Sequence, residues 1–346
     1  MRIIFCAALS IVLSAVGSTQ WTSQSSGTTA RLRGVSAASS TVAWASGSGG
    51  AYARTTDGGV SWQSSVMPGA AELDFRDVEA VDANTAYLLS IGNGEQSRIY
   101  KTTDGGRDWK LQFTNHNEKA FFDAFAFWDA RTGIAVSDPV DGKFILIKTT
   151  DGGATWKEIP RANSPSAIQG DGAFAASGTC IAVQGKRNVW FGTGGGASAR
   201  VFGSTDGGLT WRDGSTPISA GNASSGIFSI AFRDARNGVI VGGDYKKENE
   251  SSNNIATTTD GGATWALAKG SLLSGFRSAV TYVSGSRGSM LVAVGPSGSD
   301  YSVDNGASWK SLGSTGYHAV SFAGPDGWAV GENGRIGKYS AKELGR

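Results

Sequence analysis

The sequence predicts an all-β protein, a seven-bladed β-propeller of four-stranded antiparallel blades, closed by sharing the last blade between the N- and C-terminal strands. Three observations carry that prediction: an eight-residue motif that recurs six times, an interval between copies that suits one blade, and a lone tryptophan near the amino terminus. The motif first reads Thr55-Thr56-Asp57-Gly58-Gly59-Val60-Ser61-Trp62, and its aspartates stand at 57, 104, 151, 206, 260 and 304. Successive copies are thus 47, 47, 55, 54 and 44 residues apart. Gly-rich turns and short apolar runs at that spacing are the signature of propeller blades rather than helical solenoids.

Chemistry explains the motif. Asp57 can fold its carboxylate back onto nearby backbone N–H groups, while Gly58 and Gly59 accept the positive φ angles of a tight turn. Trp62 then opens the next strand as a large apolar anchor. A calcium loop is a poor match, because one carboxylate followed by two glycines lacks the alternating oxygen ligands such loops need.

Blade 1 is expected to run through Leu32-Arg33-Gly34-Val35, Thr41-Val42-Ala43-Trp44, Ala51-Tyr52-Ala53-Arg54 and Trp62-Gln63. Matching first strands start near Phe75, Phe122, Phe174, Phe228, Phe276 and Tyr317, which makes seven units for six motifs. The seventh unit, Tyr317 to Tyr339, ends before a fourth strand. Trp21 supplies it: no aspartate or glycine pair precedes this tryptophan, as expected where two chain ends replace the hairpin. Such a ring has no exposed sheet edge around its circumference. Trp44, Trp190 and Trp328 recur at second-strand positions and are assigned to the core, and Trp128, near a turn, to packing.

Composition agrees with a ring of strands and turns: Gly is 51 of 346 residues, Pro 7, and charged residues 17%. The formal net charge of +2 gives no electrostatic case for nucleic acid. Residues 1–17 read as a signal peptide, with Arg2 before the apolar run Ile3 to Val16 and small residues Ala15-Val16-Gly17 at the cleavage site. Residues 18–346 form the single propeller, expected to be exported to the periplasm or extracellular space. No second run of 18 or more apolar residues exists, so no integral membrane segment is expected in the mature chain. Cys180 has no partner in the mature chain, and its strand setting, Thr179-Cys180-Ile181-Ala182-Val183, predicts a buried inert thiol.

The repeated motif resembles the Asp-boxes of bacterial-neuraminidase-type repeats. Long copies arranged seven to a ring resemble the photosystem II stability/assembly factor family. Ser137-Asp138-Pro139-Val140-Asp141-Gly142-Lys143-Phe144 and Phe174-Ala175-Ala176-Ser177-Gly178-Thr179 point to its non-photosynthetic bacterial relatives. The resemblance covers nearly the whole mature chain and implies a scaffold that binds another protein. Asp-boxes speak to fold more than to activity.

A binding site is expected at the mouth opposite the motifs, where first strands begin and the loops between second and third strands emerge. The residues after each first-strand starter are Arg33, Arg76, Asp123, Ala175, Ser229, Arg277 and His318. Arg277, His318, Arg33 and Arg76 fall on four consecutive blades and form a basic arc facing Asp123, suited to carboxylates or phosphates. Alternatively, each arginine pairs with a neighbouring blade's acid, for example Asp77 or Asp123, and staples the ring. Asp138 joins from the loop of the third blade. The insertion Asp244-Tyr245-Lys246-Lys247-Glu248-Asn249-Glu250 reads as a solvated flap.

A sialidase-like or other exo-acting glycoside hydrolase is the alternative. Arg33, Arg76 and Arg277 could be counted as its arginine triad, and Asp123 with Asp138 as paired carboxyls. Against it, the Phe/Tyr-Arg-Ile-Pro motif is missing; Phe75-Arg76-Asp77 and Phe276-Arg277-Ser278 come nearest. No cofactor is expected: no dinucleotide fingerprint sits between a strand and a helix. Two histidines, His116 and His318, do not make a zinc site. The reading is a monomeric, non-catalytic propeller that presents a basic channel mouth to a protein or acidic ligand.

Overall fold

The computed structural model describes residues 21–284 and 289–340, and the leader expected over 1–17 lies outside them. Seven four-stranded antiparallel sheets form the ring, with two short 3-10 turns, Gly94–Gln96 and Glu332–Gly334, as the helical elements among the described residues. Blades 1 to 6 have their first strands at Leu32–Ala37, Asp74–Ala80, Phe122–Phe127, Ile181–Gln184, Ser225–Phe232 and Ala279–Tyr282. Blade 7 comprises Ala319–Ala323, Asp326–Val330 and Ile336–Ser340, closed by Trp21–Gln24. Trp21 pairs with Tyr339, and its Nε1 donates to Ser299 Oγ of blade 6 at 2.9 Å. The shared blade follows.

The first strands line the central channel with their inner edges unpaired, so their backbone donors need other partners. Side chains of the preceding blade provide them. Ser321 Oγ accepts from Ala37 N, Ser36 Oγ from Ala80 N, Asp77 Oδ2 from Phe125 N and Ser229 Oγ from Val280 N, all at 2.9–3.0 Å. Hydrophobic clusters fill the spaces between blades, with Trp44, Trp190 and Trp328 at most 1% exposed. Cys180 is buried in the cluster between blades 3 and 4, and burial pushes its thiol well above the usual range.

The motif hairpins join blades as well as closing turns. In the first, Asp57 Oδ1 accepts from Ser61 N at 3.0 Å, Ser61 Oγ donates to Asp57 Oδ2 at 2.6 Å, and Gly59 N donates to Thr55 Oγ1 at 2.8 Å. These bonds, led by Ser61, hold the Asp57 carboxyl down at about 2. The glycine carbonyls accept from the neighbouring blade: Lys338 Nζ on Gly58 O, Tyr52 Oη on Gly106 O and Tyr87 Oη on Gly152 O, each at 2.6–2.7 Å. The motif tryptophan packs the same way, Trp62 against Trp328 and Trp109 against Trp44. Each anchor therefore fastens two blades, where the sequence suggested one.

One first strand departs from expectation. Blade 4 begins at Ile181, and Phe174-Ala175-Ala176-Ser177-Gly178-Thr179 is no strand but a strap in the channel. Its Phe174 and Thr179 carbonyls accept from the backbone of Ala176 and Ile230, and its Ala175 and Ala176 carbonyls meet arginine side chains of blades 2 and 1.

Candidate functional site: a half-basic, half-aromatic channel mouth

The side chains at the mouth owe their aim to a repeated irregularity. In blades 1, 2, 3 and 5 the pairing of first and second strands skips one residue, at Arg33, Arg76, Asp123 and Phe228. A β-bulge leaves its extra residue unpaired and re-aims the side chain. All four bulged residues line one cavity of about 620 Å³ at the mouth, within the range of small-ligand sites. Blade 5 thus contributes Phe228, and not Ser229, whose hydroxyl accepts from Val280 N. Alignment by the aromatic starter misplaced that blade by one residue, because its bulge follows Ile227.

The strap is the cavity floor. Phe174 stacks on Phe228 with ring centroids 3.9 Å apart, and Phe228 meets Phe276 edge-on at 4.7 Å. Arg76 Nη1 donates to Ala175 O at 3.0 Å and Arg33 Nε to Ala176 O at 2.9 Å. Ser177 Oγ donates to Ser278 O at 2.9 Å, and Thr179 Oγ1 meets Ser229 Oγ at 2.7 Å. Gly178 passes at φ +76° against Asp77, where a side chain would collide with the carboxyl.

The predicted arc is assembled in part. Arg33, Arg76, Asp123, Asp138 and His318 share the cavity, and Arg277 does not line it. Arg277 is fully buried, 2.6 Å from Asp300, and also donates to Ser274 Oγ and Phe276 O. That arginine is committed to an acid of its own blade, where the alternative reading expects a neighbouring blade's acid. Arg76 pairs with Asp74 at 2.9 Å on its own strand. Arg33 is 7% exposed, and its Nε donates to the strap carbonyl rather than to a carboxylate. Burial, then neighbouring Arg76, lowers the Arg33 guanidinium to about 9, because its charged form is disfavoured away from water and beside a like charge.

Other groups complete the mouth. His318 Nε2 lies 2.7 Å from Glu332 Oε1, which also pairs with Arg31 at 2.8 Å. Burial, then Arg33, depresses the imidazole to about 4, so the ring is neutral near pH 7. Asp123 is 1% exposed, and burial followed by repulsion from Asp138 raises its carboxyl well above the carboxylate range. Burial lifts Asp138 to about 6, while its Oδ1 accepts from Ala173 N at 2.9 Å. Arg31, Glu332, Arg335 and the aromatic wall escaped sequence reasoning: they flank the aligned position or sit on turns with no repeat. The insertion after Asp244 is solvent-exposed over Tyr245 to Glu250, as a solvated flap should be, and two contacts tie it to the mouth. Its Glu248 carbonyl accepts from Phe276 N at 2.9 Å, and Tyr245 joins the aromatic wall.

No protein-family model matches the sequence, and no curated protein does. Solved structures share the fold. YCF48 bound to a D1 peptide superposes with a TM-score of 0.67 at 16% identity, over 94% of this chain and 99% of that one. YCF48 from Cyanidioschyzon merolae gives 0.64 at 16% identity, over 93% and 99%. The WD40 propeller domain of Doa1 gives 0.62 at 12% identity, over 93% and 98%. At such identities the likeness is one of architecture.

Proposed function

We propose that this protein is an exported, non-catalytic scaffold of the assembly-factor kind, whose channel mouth docks a segment of a partner protein through a carboxylate. The observation that carries this reading is Arg33: a buried guanidinium on a cavity wall, bonded to a strap carbonyl and ion-paired with no carboxylate among the described residues. Arg76 stands beside it, with Arg31 and Arg335 at the rim. The aromatic wall opposite suits an apolar side chain next to that carboxylate. A similarly folded chain solved with a D1 peptide makes an extended peptide the first occupant to test. The leader-like amino terminus supports export, to the periplasm or beyond.

The glycosidase alternative keeps one specific support, the paired carboxyls Asp123 and Asp138. It lacks the third arginine, since Arg277 is committed to Asp300.

An acidic peptide panel against the wild type and Arg33→Gln/Arg76→Gln tests the scaffold reading. Glutamine keeps a donor for the strap while removing the charge. Each charge-assisted hydrogen bond lost should cost about 1.5–3 kcal/mol, and binding should weaken with salt. Equal binding by the variant rejects the basic mouth, and turnover of a glycoside panel rejects the non-catalytic scaffold.

A further inference from the structure

The cavity wall carries a second group of ionisable side chains. Asp123 and Asp138 share its wall, and Asp123 Oδ2, buried on a side chain 1% exposed, accepts no hydrogen bond from any described residue. Two carboxyls brought together away from water repel, and the first is strongly destabilised as an anion. A cation between them removes both penalties. A bare metal ion is a poor candidate: calcium needs six to eight oxygens, and no group of three or more acidic, His or Cys side chains stands together among the described residues. An organic cation fits better, because an ammonium or guanidinium donates hydrogen bonds to two carboxyls without a full coordination shell, and the apolar Phe174 and Phe228 of the same cavity can cover its carbon stem.

The strap measures how far this subsite lies from the arginines. Ala173 N–H is held by Asp138, the Ala175 carbonyl by Arg76 and the Ala176 carbonyl by Arg33. Three residues of chain to the Arg76 contact and four to the Arg33 contact span at most about 10 and 14 Å, so the acidic and basic contacts lie within a few residues of each other.

We propose that the mouth recognises a zwitterionic peptide segment, seating an ammonium or guanidinium group at Asp123 and Asp138 while Arg33 and Arg76 take a carboxylate one or two residues away. This rests on the peptide-docking reading and narrows its ligand class.

Three labelled hexapeptides of otherwise identical sequence test it by fluorescence anisotropy: one ending Lys-Phe with a free carboxylate, one ending norleucine-Phe with a free carboxylate, and one ending Lys-Phe as the carboxamide. Replacing lysine by norleucine should weaken binding to the wild type tenfold or more, the scale of a lost charge-assisted contact. The Asp123→Asn/Asp138→Asn variant should bind both carboxylate peptides alike. Equal binding of the lysine and norleucine peptides to the wild type overturns the cationic subsite, whether or not the double variant folds. If the norleucine acid binds as well as the lysine acid while the carboxamide is weak, only this inference falls. If acid and carboxamide bind alike, the docking reading falls, and if none of the three binds, both do.

Discussion

Gly178→Ala puts the seat of the strap to a quantitative test. Gly178 has φ +76° and faces Asp77, whose other oxygen is fixed by Phe125 N at 2.9 Å. An alanine there incurs two costs: about 1–2 kcal/mol for a non-glycine residue in the left-handed region, and about 1–3 kcal/mol for forcing a methyl into a packed site. Gly142 separates them. It has the same φ of +76° with nothing within 4 Å of a built side chain, so Gly142→Ala should show the backbone cost alone. Urea unfolding of both variants, at unchanged m-value, should place Gly178→Ala below Gly142→Ala by the difference, about 1–3 kcal/mol. Equal losses would mean that Asp77 does not abut the strap, and the floor of the mouth would have to be redrawn.

Trp21→Ala should cost about 3–5 kcal/mol, the range for a core aromatic truncated to alanine, because Trp21 packs on Tyr317 and Tyr339 and bonds Ser299; a loss below 1 kcal/mol by chemical denaturation would deny the closure. The motif aspartates Asp57, Asp151 and Asp260 have folded-state values near 2, lowered chiefly by hydroxyl bonds from Ser61, Thr155 and Thr264. Depressed acids stabilise the fold above their unfolded value near 4 and lose that contribution as pH falls through 2. Carbon-detected NMR should find them still ionised at pH 3; midpoints near 4 would mean the turn bonds are absent. His318, lowered to about 4 by burial and then Arg33, binds a proton in the unfolded chain first, so its contribution is present above pH 6.5 and lost towards pH 4. His318→Gln should flatten that part of the stability profile, and an unchanged slope would place the imidazole in water.

The ring was legible from sequence because its motif encodes a complete turn: Thr or Ser, Asp and two glycines satisfy one another locally, so each copy marks a blade edge on its own. Trp21 was legible by the same logic, as a motif tryptophan without its turn. The mouth was legible only where strand residues repeat. Arg33, Arg76 and Asp123 were found because each follows an apolar or aromatic starter, although the bulge that aims them has no local signature. Phe228 was missed for the same reason. Nothing local distinguished Arg277 from Arg33; their fates diverge because Asp300, from another strand, meets one and Ala176 of the strap meets the other. The strap itself looked like a first strand, since Phe174-Ala175-Ala176 imitates a starter.

The account stands or falls on which face of the ring holds the occupant. Hydrogen exchange of the protein with and without a bound acidic peptide reads this directly. Protection should appear in the strap, residues 174–179, and in the insertion 244–250, with the motif hairpins around Asp57, Asp104 and Asp151 unchanged. Protection confined to the motif hairpins would put the occupant on the opposite face and contradict the proposed mouth.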